Sequence, residues 1–232
     1  MRVLLIRRPG RSVAGARRVI AAHADPNDPW LEIGSVPVIE QALDIDFAGL
    51  GAGRSAGLTR CDETVFAVCT HGRHDACCAE RGRPLAQALA RSYPEQTWEV
   101  SHIGGDRFAG NLLVLPHGLY YGRVDDADAT DIADAHLAGK LSLDQFRGRS
   151  GLSMPAQAAE CAVRRRHRLT AYDDLRFAGS TTEGDQTSVR FATPDGTEYR
   201  MRVRTTWSAP ERLTCRAAND SPMPVFEVLD DD

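Results

Sequence analysis

The chain has 232 residues, 42% of them hydrophobic, and a formal net charge of −4 at pH 7. A chain of this length and apolar content can fill a hydrophobic core without disulfide bonds, so the composition indicates a globular protein and excludes one that depends on a disulfide framework. The acidic balance gives no electrostatic reason to expect a nucleic-acid partner.

The sequence also predicts no membrane partner. No stretch approaches the roughly 18 consecutive apolar residues of a membrane-spanning helix. The start, MRVLLIRRPGRSV, has an apolar part that is too short and too soon interrupted by arginines for a secretory signal. We therefore expect a cytoplasmic protein whose cysteines stay reduced, so that their thiolates are available for metal binding or redox chemistry.

The N-terminal segment is predicted to open with a strand and a helix. RVLLIR is a short apolar run typical of a strand, and PGRSVAGARRVIAAH predicts a turn followed by a helix. The apolar residues on one face of that helix are Val13, Ala16, Val19 and Ile20. Residues 24–60 are rich in Asp, Pro and Gly and indicate an irregular linker.

The next segment begins with ETVFAVCTHG, whose β-branched and aromatic residues predict a buried strand. After the loop that follows, Pro84 is expected in the first turn of a helix that ends at the Tyr-Pro pair 93–94. WEVSHIGGD then predicts a strand up to His102, followed by the double glycine 104–105, which permits backbone conformations that a side chain would resist.

Two further strands and a helix complete this segment. NLLVLPHGLYYGRV predicts two strands joined at residues 116–118, and DATDIADAHLAGK predicts a helix with Asp128 near its start and Gly139 past its end. The order is strand, helix, strand, strand, helix. This is the order of the second half of a thioredoxin-like fold, so we expect an α/β protein.

The pattern changes beyond about residue 148. SMPAQAAECAVRRRHRL predicts a helix, and TSVRFATPDGTEYRMRVRTTW predicts a β-hairpin that turns at its Asp-Gly pair. The basic run RRRHR at 164–168 is expected on a solvated helix face. We predict three parts: an N-terminal βα segment and irregular linker (1–60), a thioredoxin-like α/β domain (61–148), and a small C-terminal α+β module (149–232).

Potential metal ligands are concentrated in one short stretch, VCTHGRHDACC. It holds Cys69, Cys77, Cys78, His71 and His74. The remaining cysteines are scattered, and because cysteine is often a small buried apolar residue we expect them to fill the core. They are Cys61, Cys161 and Cys215.

A second pair of potential ligands, His102 and Asp106, flanks the double glycine. With Cys69 and Cys78 it gives a C-x8-C and an H-x3-D spacing, each pair on a loop that follows a predicted strand. The two pairs can converge on one site if the two strands are neighbours in the sheet. Thiolates and imidazoles suit iron, and the same set of four is also a legitimate ligand set for Zn²⁺.

FAVCTHGRHDACC together with SHIGGDRFAGNLLVLPHGLYYGRV resembles the sucrase/ferredoxin-like family, and the similarity continues through RGRS and AQAAE. The resemblance implies a thioredoxin-like ferredoxin that holds a [2Fe–2S] cluster through two cysteines spaced C-x8-C and two histidines spaced H-x3-H. Cys69, Cys78 and His102 fall on three of those positions. Asp106 stands where the second histidine would be.

This departure leaves the fourth ligand open. The alternatives are Asp106, Cys77, His71, His74 and solvent. Adjacent cysteines in an extended backbone point to opposite sides, which disfavours Cys77. Asp106 offers an oxygen, which is a harder donor than the ligands that iron usually has in a sulfide cluster. We favour Asp106 over Cys77, and expect His71 and His74 to support the ligands or face solvent.

The resemblance implies an electron-transfer or redox-sensing protein, an electron carrier rather than an enzyme with its own substrate, that works with an unidentified redox partner protein. One alternative is a structural zinc-binding protein. Another is a thiol oxidoreductase that uses Cys77 or Cys78 at a helix N-terminus, although the chain has no C-x-x-C pair. The carboxylates show no pairing that would indicate glycoside hydrolysis.

Overall fold

The structure, a computed structural model, describes residues 1–10, 15 and 17–229. The strands in chain order are β1 (Ile6–Arg7), β2 (Arg17–His23), β3 (Trp30–Val36), β4 (Thr59–Cys61), β5 (Val65–Cys69), β6 (Thr97–Val100), β7 (Leu112–Leu115), β8 (Leu119–Tyr121), β9 (Phe146–Arg149), β10 (Arg176–Glu183), β11 (Gln186–Ala192), β12 (Glu198–Trp207) and β13 (Pro224–Leu229). The helices are α1 (Phe47–Gly51), α2 (Ala76–Ser92), α3 (Ala129–Leu137) and α4 (Met154–His167), with 3-10 turns at Ile39–Asp44 and Asp106–Phe108. Over the described ranges the protein is a mixed α/β structure.

The central sheet has the strand order β1-β6-β5-β7-β8-β9. Strands β5 and β6 are parallel and are joined by α2, whereas β7 is antiparallel to β5 and β8 is antiparallel to β7. The strands, their order along the chain and the helix α3 after β8 agree with the sequence-based prediction for this segment. Because β5 and β6 are parallel neighbours, their carboxyl ends lie at the same edge of the sheet.

The two faces of the central sheet carry different layers. Phe66 and Val68 of β5 pack with buried residues of α2 and α3 on one face. The alternate residues, Val65, Ala67 and Cys69, face a second core that includes Leu31 of β3. The sheet β2-β3-β4 therefore lies on the face of the central sheet that Cys69 points to.

The N-terminal part differs from the prediction. Residues 17–23 form β2, paired antiparallel with β3, rather than the end of a helix. Ile20 and Ala22 pack against the second core, and this two-residue period is that of a strand. The part of the predicted helix at residues 11–14 and 16 lies outside the described residues, and the predicted first strand is confined to β1.

Helix α2 begins earlier than the sequence suggested. Asp75 caps it by accepting a hydrogen bond from the Cys77 amide at 3.1 Å, so Pro84 lies inside the helix rather than in its first turn. A side chain at Gly82 would collide with the carbonyl oxygen of Cys69. This close approach places the first turns of α2 directly against the end of β5.

The C-terminal part packs α4 against an antiparallel sheet of order β10-β11-β12-β13 with a core of its own. The predicted helix and the hairpin at the Asp-Gly turn are confirmed, and Ser153 caps α4. The expectation of a solvated basic face is wrong for Arg164, which is fully buried, whereas residues 165–168 are exposed. No helix in the described part of the chain is long and apolar enough to cross a bilayer.

Arg164 belongs to a buried group of charges that links α4 to the central sheet. Oε1 of Glu160 lies 3.0 Å from Nε of Arg164 and 2.9 Å from Nε of Arg149 on β9. All three side chains are almost inaccessible to solvent. The two guanidinium groups also donate hydrogen bonds to backbone carbonyl oxygens, which belong to Pro26, Leu169, Ala171, Tyr172 and Leu175.

Candidate metal centre

Two cysteine thiols and a histidine imidazole meet at the edge of the central sheet where the carboxyl ends of β5 and β6 lie. Cys69 is the last residue of β5, Cys78 lies in the first turn of α2, and His102 follows β6. One potential ligand atom from each of these residues lies within 4.8 Å of the other two. Both cysteines are buried, and the His102 side chain is 22% exposed, so the group opens to solvent on the histidine side.

A second group of ligands overlaps the first and shares His102. The carboxylate of Asp106 lies 3.0 Å from Nε2 of His74 and 3.1 Å from Nε2 of His102. The His74 and His102 rings are stacked, with their centres 3.8 Å apart. The ligand atoms of His74, His102 and Asp106 again lie within 4.8 Å of one another.

The sequence prediction named four of these five residues, and the structure brings Cys69, Cys78, His102 and Asp106 together. His74 was expected to play only a supporting part, but it contacts Asp106 directly. It lies immediately before Asp75, so recognising Asp75 as the helix cap would have placed it beside the first turn of α2. His71 accepts a hydrogen bond from the His102 amide at 3.3 Å and thus holds the backbone of that loop.

Cys77 does not face this group. It forms a disulfide with Cys215, which is 138 residues further along the chain. Successive residues of a helix point about 100° apart, so the turn that directs Cys78 towards Cys69 directs Cys77 elsewhere. A cysteine in a disulfide has no thiolate to offer a metal, and Cys77 is therefore a poor fourth ligand.

The disulfide corrects two further expectations. Cys215 is exposed and bonded rather than a core residue, and not all cysteines are reduced. Cys161 is buried as predicted, and Cys61 is half-buried against the second core. Nothing near Cys215 in the sequence pointed to a partner so distant along the chain.

The double glycine presents His102 and Asp106 on a tightly held loop. Gly104 and Gly105 have φ values of 92° and 73°, in the left-handed region that favours glycine, as the sequence predicted. The side-chain amide of Asn111 donates a hydrogen bond to the carbonyl oxygen of Gly105 at 2.8 Å. The Ile103 carbonyl accepts hydrogen bonds from the side chains of Arg2 and Tyr120.

Burial keeps the Cys78 thiol and the His102 imidazole uncharged in the absence of a cation. Burial, followed by the nearby Cys69, raises the pKa of the Cys78 thiol to about 12. Burial also lowers the pKa of His102, although the Asp106 carboxylate opposes this, so the imidazole is neutral at pH 7. A thiol must lose its proton to bind a metal, so occupation of this site releases protons.

Buried polar atoms without a hydrogen bond mark the same place. Nδ1 of His102 and Oδ1 of Asp106 are buried and make no hydrogen bond to a described residue, although Oδ1 of Asp106 lies 3.1 Å from Nε2 of His102. Buried polar atoms in native proteins are nearly always hydrogen-bonded, and exceptions call for an explanation such as a bound ion. Thiols, imidazoles and a carboxylate are the residues that hold transition metals, so the donor set fits a metal or an iron–sulfur cluster.

Comparison with known proteins identifies a family and two relatives of this chain. A profile of the sucrase/ferredoxin-like family matches residues 17–148, more than half of the chain. Two curated relatives carry the name altered inheritance of mitochondria protein 32. The one from Meyerozyma guilliermondii is 33% identical over 98 residues, which cover 38% of this chain and 34% of the relative. The one from Candida glabrata is 30% identical over 102 residues, which cover 38% of this chain and 32% of the relative.

The matched region thus spans about a third of the length of the curated relatives. No solved structure matches the chain. The family match includes the strand β5, the helix α2 and the loop after β6, and hence all five residues of the two ligand groups. The chain belongs to the sucrase/ferredoxin-like family.

Proposed function

We propose that this protein transfers electrons or senses redox state through one [2Fe–2S] cluster with mixed cysteine and histidine ligands. Cys69 and Cys78 are its thiolate ligands and His102 an imidazole ligand, and Asp106 supplies the fourth. The observation that carries the proposal is the presence of two three-ligand groups that share His102.

The extent of the donor set favours a cluster over a single ion. Four tetrahedral ligands of one zinc ion lie about 3.5–4 Å from one another, given metal–ligand bonds of about 2.0–2.3 Å. Cys69, Cys78 and His102 are close enough for one ion, but Asp106 and His74 group with His102 rather than with the thiols. A binuclear cluster has two iron atoms with two protein ligands each, and a longer donor set of this kind suits it.

The topology supports the same proposal. The order β6-β5-β7-β8, with β5 and β6 parallel, α2 between them and α3 after β8, is the arrangement that the sequence led us to expect of a thioredoxin-like unit. We propose that residues 61–148 form a thioredoxin-like ferredoxin domain, as the family resemblance implies. In such a domain the ligands sit on the two loops that follow the parallel strands, where Cys69 and His102 lie.

The bound cluster would supply one-electron chemistry. An imidazole ligand carries less negative charge than a thiolate and stabilises the reduced form, which raises the potential above that of an all-cysteine ferredoxin. The partly exposed His102 lies between the buried thiols and solvent. It therefore offers a route from the cluster to a redox partner protein.

A structural zinc site remains the second candidate, because Cys69, Cys78 and His102 form a compact group on their own. A thiol oxidoreductase has less support. Cys77 is in a disulfide, and Cys78 is buried with a raised pKa, whereas reactive thiols are accessible and have lowered pKa values.

Anaerobic purification followed by iron, sulfide and zinc analysis tests the proposal. We expect two irons and two sulfides per chain, with visible charge-transfer absorption. Cys69→Ser and Cys78→Ser should each abolish the absorption, whereas Cys161→Ser, a buried cysteine outside the site, should leave it unchanged. A colourless protein with one zinc per chain would contradict the cluster and support the zinc site.

A further inference from the structure

Three arginines surround one aromatic ring next to the metal centre. Phe108 ends the 3-10 turn that begins with Asp106. The guanidinium carbons of Arg147, Arg107 and Arg123 lie 4.3, 4.6 and 5.5 Å from the centre of the Phe108 ring. The chain as a whole is acidic, so a concentration of positive charge at one ring is a local feature.

These cations have no counter-charge in the described part of the chain. No described carboxylate forms an ion pair with Arg107, Arg123 or Arg147, and their side chains make no hydrogen bond to a described residue. Burial, and then the charges of Arg123, Arg165 and Arg107, lowers the pKa of Arg147. Like charges held this close repel one another, and a bound anion would remove the repulsion.

A cavity of about 460 Å³ opens beside the arginines, within the size range of small-ligand sites. Its charged side is formed by Arg107, Arg123 and Arg212, and the only carboxylate among its lining residues is that of Glu211. Arginine guanidinium groups bind phosphate oxygens in pairs of parallel hydrogen bonds, and a dianion offsets more of this charge than a carboxylate does.

The rest of the cavity is apolar. Leu213, Met223 and Phe226 of the C-terminal segment line it together with Phe108. A free inorganic anion would gain nothing from these side chains, and a flat acidic protein surface would not enter a cavity. The lining matches a ligand that has an apolar body and an anionic end.

We propose that this cavity is a binding site for a small organic phosphate. The phosphate group is held by Arg107 and Arg123, with Arg147 adding charge behind the Phe108 ring, and the organic part packs against Met223 and Phe226. Phosphate binding at this site does not require a cluster, so it can be tested whether or not the function proposed above is correct. Arg107 directly follows Asp106 in the same 3-10 turn, so a phosphate held by Arg107 would lie close to the candidate metal centre.

Phenyl phosphate is a suitable probe, because it joins a ring to a dianion. We expect the full-length protein to bind it in a saturable manner by calorimetry at low ionic strength, at least tenfold more tightly than inorganic phosphate. Arg147→Gln and Arg123→Asn should each weaken binding about tenfold or more. Asparagine is chosen because Arg123 has a φ of 60°, which asparagine tolerates.

Arg91→Gln is the matched control, because Arg91 is an exposed arginine at the far end of α2. It should bind phenyl phosphate like the unmodified chain. Arg147→Lys, which keeps the positive charge that Arg147 is proposed to contribute, should bind more tightly than Arg147→Gln. Equal losses in Arg91→Gln, or equal binding of phosphate and phenyl phosphate, would overturn the proposal. Tighter binding of a polyglutamate peptide than of phenyl phosphate would also overturn it and indicate a docking surface for an acidic protein.

Discussion

Two groups of polar side chains lie in the interior of this protein, and they are composed in opposite ways. In the group Arg149, Glu160 and Arg164, positive donors face a negative acceptor and backbone carbonyl oxygens. At the metal centre, the thiols, imidazoles and carboxylate that face one another are all potential electron-pair donors. The first group is complementary within the chain, whereas the second has a hydrogen bond between His74 and Asp106 but leaves Nδ1 of His102 without a partner among the described residues, which a cation would supply.

This difference distinguishes polar groups that are buried with their partners within the chain from polar groups that are buried to form a binding site. A buried ion pair stabilises little by itself, but removing one partner is costly because it leaves an unpaired charge in the interior. A set of convergent donors contributes little to folding and creates a site for something outside the chain. The arginines around Phe108 are the same case with the sign reversed, since convergent cations without an acceptor call for an anion.

The largest expected effect comes from breaking the complementary group. Glu160→Gln keeps the shape of the side chain but leaves the guanidinium groups of Arg149 and Arg164 buried without a counter-ion. We expect a loss of about 3–5 kcal/mol in the free energy of unfolding, measured by urea denaturation. Glu198→Gln, at an exposed pair with Arg200, should cost less than about 1 kcal/mol. Similar values for the two variants would contradict the structural part given to Glu160.

The buried His136 and the half-buried His117 bring two imidazole rings together at a place without thiols. The rings of His117 and His136 are 5.3 Å apart beside Tyr172. Burial, and then His117, lowers the pKa of His136 to about 4. The folded-state pKa is thus below the value of about 6.5 in the unfolded chain, so the unfolded state binds protons first as the pH falls.

We therefore expect stability to be complete above pH 6.5 and to be lost as the pH falls towards 4, by about 3 kcal/mol from His136. Urea unfolding at several pH values measures this. His136→Leu should flatten the dependence in this window, whereas His167→Gln, at an exposed histidine of α4, should keep it. An unchanged slope in His136→Leu would mean that other groups cause the loss.

The third effect is smaller and directly compares the two interior groups. Asp106→Asn makes the same carboxylate-to-amide change as Glu160→Gln, but at the metal centre. Without a cofactor it should change the free energy of unfolding by about 1 kcal/mol or less, because the amide oxygen can still accept a hydrogen bond from a neutral imidazole. A loss as large as that of Glu160→Gln would show that Asp106 is mainly a structural residue.

Local sequence patterns were sufficient for much of the fold. The strands β5, β7 and β8, the helices α3 and α4, and the β11–β12 hairpin follow from short apolar runs, caps and turn residues. The convergence of Cys69, Cys78, His102 and Asp106 required one further assumption, that the two strands before their loops are neighbours. The parallel pairing of β5 and β6 makes these two strands neighbours in the sheet.

Most of the errors depend on tertiary contacts that a local pattern does not show, whereas the early start of α2 follows from its local cap Asp75. The apolar residues of β2 fit a helix as well as a strand until β3 is seen to pair with it. Arg164 looked like part of a solvated run, because its burial depends on the packing of α4 against β9 and on the loop of residues 169–172 that folds back onto it. The Cys77–Cys215 disulfide likewise joins residues that nothing in the local sequence relates.

The smallest expected effect concerns the identity of the fourth ligand. Asp106→His restores the H-x3-H spacing and exchanges an anionic oxygen for a neutral nitrogen. With Asp106 as a ligand, the potential should rise, because less negative charge favours the reduced cluster, and a second pH-dependent step should appear from the new imidazole. Voltammetry across pH measures both. His74→Gln is the comparison, because His74 contacts Asp106 at 3.0 Å and should shift the potential only slightly as a neighbour. The opposite pattern, with loss of the cluster in His74→Gln and an unchanged potential in Asp106→His, would make His74 the ligand and Asp106 the residue that positions it.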